Sequence, residues 1–227
     1  MRRAHGDRYG GPADLFATIA VMPQPRPCTS GVRIVPANEA SWEDLTAILG
    51  KVKCHGCLCF CQRYKTDFDG WRNEPDEERG HRLRMQTECD NPGSATTSGL
   101  VAYVDGKPGG WCAVEPRSAY PGLTRHVAWA GRTGEDRADP GIWAVTCMVT
   151  AAPYRWQGLT HALVAAAVEF ARQQGARAVE GYPMLTQPGK IITWGELHVG
   201  SRGAFAAAGF REIGRPTKRR VVMRIDF

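Results

Sequence analysis

The segment from Met148 to Thr160 has the residue types of an anion-binding turn. An apolar stretch ends at Thr150, the sequence Arg155-Trp156-Gln157-Gly158 follows, and apolar residues then recur at helical spacing from Leu159. A helix start offers backbone N–H groups without intrahelical partners and the positive end of a dipole, so it can hold phosphate groups. Gly158 permits close backbone approach, and Arg155 adds a fixed charge with fork-like donors. The segment therefore predicts a pyrophosphate site.

A second group of reactive side chains lies in residues 54–61, which hold four thiols and an imidazole: Cys54, His55, Cys57, Cys59 and Cys61. Zinc sites use such ligands, but the second pair normally lies well downstream of the first. Cys57, Cys59 and Cys61 also alternate, which would place them on one side of an extended segment. We interpret the thiols as small buried side chains and expect no metal, with a structural zinc site as the alternative.

The elements that must position these groups alternate between strand and helix patterns. Ile142 to Thr150 is almost entirely apolar or β-branched, which indicates a strand buried on both faces. The helix from Leu159 to Gly175 and a strand from Ala176 to Met184 complete a βαβ unit, so the two strands should be parallel. The other predicted elements are strands at 31–37, 99–104, 110–115, 210–213 and 221–227, and helices after Ser41, Pro75 and Ser201. The sum is an α/β domain with a mixed sheet.

Length and composition favour one core with a tail. The chain has 227 residues, of which 43% are hydrophobic, and residues 1–30 are rich in Arg, Gly and Pro. We expect residues 1–30 to be a disordered extension and residues 31–227 to form the domain. No apolar run is long enough for a membrane helix, and eight cysteines without a convincing export signal favour a reduced, cytoplasmic protein. A net charge of +6 fits an anionic cofactor at least as well as nucleic acid.

The residues 155–160, in this strand–loop–helix context, resemble the Arg/Gln-x-x-Gly-x-Gly/Ala signature of the GNAT superfamily of acetyl-CoA-dependent N-acetyltransferases. The late sequence Ala208-Gly209-Phe210 is a second, weaker match. The resemblance implies a mostly antiparallel sheet flanked by helices, with a splayed central strand pair. It also implies acetyl-CoA as co-substrate and direct acetyl transfer to a primary amine in a ternary complex. The implied cofactor contacts are the backbone of Met148, Val149 and Thr150 for the pantetheine arm, and Arg155, Trp156, Gln157, Gly158, Leu159 and Thr160 for the pyrophosphate.

The chain departs from the family pattern at three positions. Thr160 replaces a Gly or Ala. Phe205 stands where many members have a tyrosine that acts as general acid, and Ala144 stands where some have a glutamate that acts as base. An acceptor amine is cationic at neutral pH and must lose a proton before it attacks a thioester. The catalytic candidates are Glu180 and Tyr182, which share a strand face, and His198 before the last helix; Glu115, Tyr120 and a water relay are further options.

The missing proton-transfer residues leave a second function open. The same fold would serve as a noncatalytic module that senses acyl-CoA or binds nucleic acid, although a solvated turn explains the basic run 215–220 more simply. The sequence does not identify the amine acceptor, and a homodimer remains an open alternative.

Overall fold

The computed structural model describes residues 31–54, 57–66, 70–124, 135–186 and 192–227. The predicted disordered extension at 1–30 lies outside these ranges. The strands are β1 Val32–Pro36, β2 Lys53–Cys54, β3 Cys57–Leu58, β4 Gly99–Val104, β5 Lys107–Pro116, β6 Ile142–Thr150, β7 Ala178–Gly181, β8 Arg211–Thr217 and β9 Arg220–Asp226. The helices are α1 Trp42–Leu49, α2 Gly70–Asn73, α3 Asp76–Thr87, α4 Pro121–Thr124, α5 Leu159–Gln173, α6 Trp194–Leu197 and α7 Arg202–Ala207.

Seven of these strands form one sheet in the order β1-β4-β5-β6-β7-β9-β8. Every neighbouring pair is antiparallel except β6 and β7, which are parallel, as the βαβ pattern predicts. The short β2 and β3 form a separate hairpin. The predicted mixed, mostly antiparallel sheet flanked by helices is therefore confirmed.

The central strand β6 pairs with β7 along only part of its length. The pairs run from Ile142 with Ala178 to Val145 with Gly181, and the rest of β6 has no partner on β7. In the gap, the Met148 N–H donates to the His198 carbonyl at 2.5 Å, and the Met184 N–H donates to the Gly200 carbonyl at 3.0 Å. The two strands thus diverge, which confirms the predicted splay, and the segment before α7 lies between them.

A β-bulge lies on the other side of β6. Ala113 of β5 pairs with Cys147, but its neighbour Val114 pairs with Val145, so Thr146 is an extra residue in β6. A bulge bends the strand and reverses the alternation of its side chains. A regularly alternating strand would contribute to one cluster on each of its two faces. The apolar residues of β6 contribute to three buried clusters.

Helices cover both faces of the sheet. On one face, α5 packs through Leu163, Val164 and Ala167, all fully buried, as its helical spacing predicts. On the other face, α1 packs through Leu45 and Ile48. Helix α1 begins as predicted, because the Ser41 hydroxyl accepts a hydrogen bond from the Asp44 N–H at 3.0 Å.

Several strand boundaries differ from the sequence prediction, and β5 begins at Lys107 instead of Gly110. Strand β7 ends at Gly181 instead of Met184 because the chain leaves the ladder at the splay and crosses to Ser201. Strand β8 extends to Thr217, where it pairs with Arg220. The basic run 215–220 therefore includes the exposed turn at Lys218 and Arg219 between β8 and β9, in agreement with the predicted turn. Within the described residues, no helix has both the length and the apolarity needed to cross a membrane.

Phe205 seals the core where the central strands diverge. It is fully buried, and a Cβ built on Gly181 would lie 2.0 Å from its Cε1. The absence of a side chain at Gly181 therefore allows α7 to pack against the end of β7.

We predict that Gly181→Ala lowers the free energy of unfolding by about 1–3 kcal/mol, because the methyl group and the Phe205 ring cannot share this space. Urea denaturation measures the loss. Gly203→Ala in exposed helical backbone is the matched control, since a Cβ there meets nothing within 4 Å. The control should gain about 0.4–1 kcal/mol from reduced chain entropy. Equal effects of the two substitutions would contradict the packing argument.

Candidate active site

The predicted pyrophosphate segment forms a turn that leads directly into α5. Trp156 has φ 65° and Gly158 has φ 81°, so the chain adopts left-handed backbone twice before Leu159. The N–H groups of His161 and Ala162 return to the Gly158 carbonyl at 2.9 and 3.2 Å. The amides of the preceding first-turn residues have no carbonyl of the helix to bond, which is the arrangement that binds anions.

Side chains around this turn fix its position. The Arg155 Nε donates to the Thr150 carbonyl at 3.3 Å, and the Gln157 amide donates to the Pro153 carbonyl at 2.9 Å. Partial burial lowers the pKa of Arg155 from its usual value, although the group stays cationic at neutral pH. Trp156 is 37% exposed, and Thr160 is half-buried in the first turn of α5.

Two glycines of β5 let this turn lie against the sheet, and the sequence analysis did not identify them. A Cβ on Gly109 would lie 2.9 Å from the Tyr154 ring, and a Cβ on Gly110 would lie 3.0 Å from Leu159. The Gly109 carbonyl also accepts the Ala151 N–H at 2.9 Å. The signal was present as two adjacent glycines inside a strand, which often mark close approach of another backbone.

The three β6 residues assigned to a pantetheine arm differ in their surroundings. Val149 and Thr150 pair with Trp111 and Gly110 on the β5 side. Met148 is different, because its N–H is already bonded to the His198 carbonyl. A cofactor can use the Met148 amide only if the chain around His198 moves away, which the sequence did not indicate.

Two tyrosine–glutamate pairs lie on either side of Ala144. Glu115 of β5 and Glu180 of β7 are its register partners in the sheet, and cross-strand partners share a face. The Tyr120 hydroxyl donates to Glu115 at 2.9 Å, and the Tyr182 hydroxyl donates to Glu180 at 2.8 Å. The structure therefore brings four of the predicted candidates together around the position where some relatives have a glutamate.

Glu180 is the core of a buried ionic network. Arg117, fully buried like Glu180, donates to it at 3.2 Å and to Glu135 at 2.8 Å. Arg224 lies 3.6 Å from the same Glu180 oxygen. Arg117 also donates to backbone carbonyls, including that of Arg137 at 3.3 Å. These contacts favour a structural role for Glu180 over the predicted proton transfer, because two cations and a phenol already engage its carboxylate.

The sequence analysis did not identify Arg117 as a site residue. The only signal was indirect: a glutamate within the apolar strand Ala178–Gly181 requires a buried cation. Nothing in the sequence indicated that the cation would come from the end of β5, which is brought close by the sheet order.

In the second pair, the Glu115 carboxylate is more accessible than that of Glu180. The Glu115 side chain is 14% exposed, and Lys65 Nζ lies 2.5 Å from its Oε2. Tyr120 is fully buried, and its hydroxyl lies near the side chain of Thr146, the bulged residue of β6. Burial first, and the Glu115 carboxylate second, raise the pKa of Tyr120 well above its usual value. Tyr120 is thus a neutral phenol that donates to Glu115 beside β6.

His198 packs on Tyr64, a neighbour of Tyr120 and Tyr182. Its Nδ1 is 2.6 Å from the Gly195 carbonyl, and its ring stacks on Tyr64 with centroids 6.4 Å apart. Tyr64, Tyr120, Tyr182 and Ala144 belong to one buried cluster. Of the three predicted catalytic residues, Tyr182 belongs to this cluster, Glu180 accepts its hydrogen bond, and His198 contacts the cluster through Tyr64.

The cysteine segment does not form the predicted extended run. Phe60 and Cys61 have φ of 42° and 58°, so the extended backbone ends at Leu58. The Trp111 indole donates to Cys61 Sγ at 2.9 Å, which packs this thiol into the core. Cys61 is buried and is not part of a disulfide. No group of three or more potential ligands is placed for a metal in the described ranges, which do not include His55.

Comparison with known proteins agrees with this arrangement. Residues 61–183 match the model of the acetyltransferase (GNAT) family, so the chain belongs to the GNAT acetyltransferases. Similar solved structures include a GCN5-related N-acetyltransferase from Kribbella flavida, with 17% identity, coverage of 87% of this chain and 98% of the other, and a TM-score of 0.49. A GNAT acetyltransferase from Streptococcus pneumoniae has 18% identity, coverage of 86% and 99%, and a TM-score of 0.45. No curated protein sequence matches the chain.

We predict that Arg117→Met lowers the free energy of unfolding by about 3–5 kcal/mol, because it leaves Glu180 charged and buried without its main partner. Urea denaturation at pH 7 measures the loss. Arg117→Met combined with Glu180→Gln should recover a large part of it. The control is Arg177→Met, which removes an exposed pair with Asp139 and should change stability little. A similar small effect at Arg117 would refute the anchoring role.

Proposed function

We propose that the protein transfers the acetyl group of acetyl-CoA to a primary amine by direct attack in a ternary complex. The observation that carries this proposal is the turn at 155–160, whose left-handed Gly158 precedes the amides of α5. Its position at the end of a splayed β6, in a member of an acetyltransferase family, supports the same conclusion.

In this proposal the start of α5 binds the pyrophosphate. The amides near Gly158, Leu159 and Thr160 face its charge, and Arg155 adds a cation. Trp156 and Gln157 line the same turn, and the Thr160 hydroxyl is an additional donor. The pantetheine arm follows the backbone of Met148, Val149 and Thr150, which requires the hydrogen bond between Met148 and His198 to open when the cofactor binds.

The chemistry follows from the needs of an amine acceptor. The ammonium loses a proton, the free nitrogen attacks the thioester carbonyl, and the carbon–sulfur bond breaks to release CoA. A backbone N–H of β6 near Met148 or Val149 holds the oxyanion. Glu115 accepts the proton directly or through Tyr120. We prefer this pair to Glu180 and Tyr182 because Glu115 is partly exposed, whereas Glu180 is enclosed by Arg117 and Arg224.

We predict that acetyl-CoA raises the thermal stability of the protein, with a stabilisation of about 2.7 kcal/mol at a concentration one hundred times its Kd. Gly158→Glu should abolish this shift through bulk and charge beside the phosphates. Gly175→Glu is a matched control, since Gly175 has φ 80° against 81° for Gly158 and lies at the opposite end of the same helix. A wild-type shift that survives in Gly158→Glu would place the phosphates elsewhere.

We predict that Tyr120→Phe lowers kcat about 10² to 10⁴-fold, because it removes the phenol that passes the proton of the acceptor to Glu115. Tyr182→Phe is the matched comparison, since both tyrosines are buried and each donates to a strand glutamate. Rates of CoA release are measured on an amine identified by screening. The opposite ranking would return the catalytic role to Tyr182 and Glu180.

The noncatalytic alternative has a distinct outcome. A module that only senses acyl-CoA would show the thermal shift and its loss in Gly158→Glu. It would release no CoA above the hydrolysis background with any aliphatic, aromatic or peptidyl amine of a broad panel.

A further inference from the structure

A primary ammonium already occupies the acceptor side of the site. Lys65 Nζ lies 2.5 Å from Glu115 Oε2 and 4.6 Å from the centroid of the Tyr120 ring. The Lys65 and Glu115 side chains are only 11% and 14% exposed. A carboxylate combined with an aromatic face is an arrangement that recognises alkylammonium groups, and it is stronger when shielded from water. The pair Glu115 and Tyr120 therefore has the chemistry of an amine-binding site.

The position of this ammonium connects it to the central strand. Glu115 lies beside Ala144 in the sheet, and the Tyr120 hydroxyl, which donates to Glu115, lies near Thr146. Thr146 precedes by two residues the Met148 amide, near which we place the thioester. The Lys65 ammonium is thus held by the same two groups that our proposal assigns to proton transfer.

The ion pair between Lys65 and Glu115 lies within one chain, and the Lys65 ammonium can be displaced from it. Lys65 follows the short turn Gln62–Tyr64, and its N–H bonds to the Gln62 carbonyl at 3.0 Å, so the backbone position does not depend on the side chain. A lysine is a compact charge on a flexible stem and makes no bidentate bond that would lock it in place. Another ammonium can therefore take its place on Glu115.

We propose that Glu115 and Tyr120 bind the ammonium group of the acceptor, and that Lys65 competes for this position from within the chain. The inference rests on the proposed function and names the acceptor class: a primary amine at the end of an unbranched alkyl chain, as in an aliphatic diamine or a lysine side chain. The Lys65 side chain, itself an unbranched alkyl chain that ends in an ammonium, shows the shape of ligand that this position accommodates. An amine with an adjacent carboxylate is disfavoured, because Glu115 would repel it.

Competition from Lys65 makes a quantitative prediction. A site that is open for only a fraction of the time binds its ligand more weakly by that fraction. Removing the Lys65 ammonium should therefore strengthen amine binding, whereas removing a charge that only supports the fold should not. Removing the Glu115 charge should weaken amine binding.

The test is calorimetric titration of 1,5-diaminopentane into the protein without acetyl-CoA, at constant ionic strength. Lys65→Met should bind at least tenfold more tightly than wild type. The double variant Lys65→Met, Glu115→Gln should lose this gain. Lys107→Met, which removes an exposed lysine from the opposite end of β5, is the matched control and should equal wild type. Unchanged or weaker binding by folded Lys65→Met would overturn the inference.

Two features of the experiment distinguish failure of this inference from failure of the proposed function. Lys65→Gln carries the same expectation and replaces Lys65→Met should the latter fail to fold by circular dichroism. Because binding is measured without acetyl-CoA, a protein that binds the diamine but transfers no acetyl group would contradict the proposed function alone. A protein that acetylates other amines but shows no gain in the Lys65 variants would contradict this inference alone.

Discussion

The short parallel contact between β6 and β7 is the constraint on which the rest of the structure depends. The two strands pair over four positions, after which their backbone groups need other partners. The chain at 198–200 supplies them, through its carbonyls at His198 and Gly200. The divergence therefore determines which segment lies between the strands, and our proposal requires this segment to move when acetyl-CoA binds along β6.

Glycines and one aromatic ring make this divergence compatible with a packed core. Gly181 and Gly200 lie against the Phe205 and Met148 side chains, where any Cβ would overlap with them. Phe205 thus has a packing role at the position where many family members have a tyrosine. The loss of that phenol is consistent with the two other tyrosines on the acceptor side, each bonded to a glutamate.

The two glutamates beside Ala144 differ in the cation that each one meets. Glu180 is held by two arginines within a network that includes Glu135 and the backbone near it, so its charge stabilises a fixed arrangement. Glu115 meets a lysine near the surface. Because an ammonium is a compact charge without a bidentate geometry, exchange at Glu115 is easier than at Glu180. This contrast leads us to place amine recognition at Glu115.

Local patterns in the sequence determined most of the large elements and the turn at 155–158. The apolar run of β6, the helical spacing of α5 and the sequence 155–158 are each read within a few residues, because backbone propensity and helix capping act locally. The family resemblance added the splay. Sequence spacing also placed Glu180 and Tyr182 on one strand face, where they do lie.

Only the tertiary structure decided which partners the two glutamates contact. Arg117 and Glu180 are 63 residues apart, and Lys65 meets Glu115 from a different segment, so no local pattern relates them. Strand order brings both glutamates beside Ala144, and the bulge at Thr146 turns that residue towards Tyr120. Burial and ion pairing depend on which distant groups the sheet brings together, and for that reason the roles of the carboxylates followed from the fold.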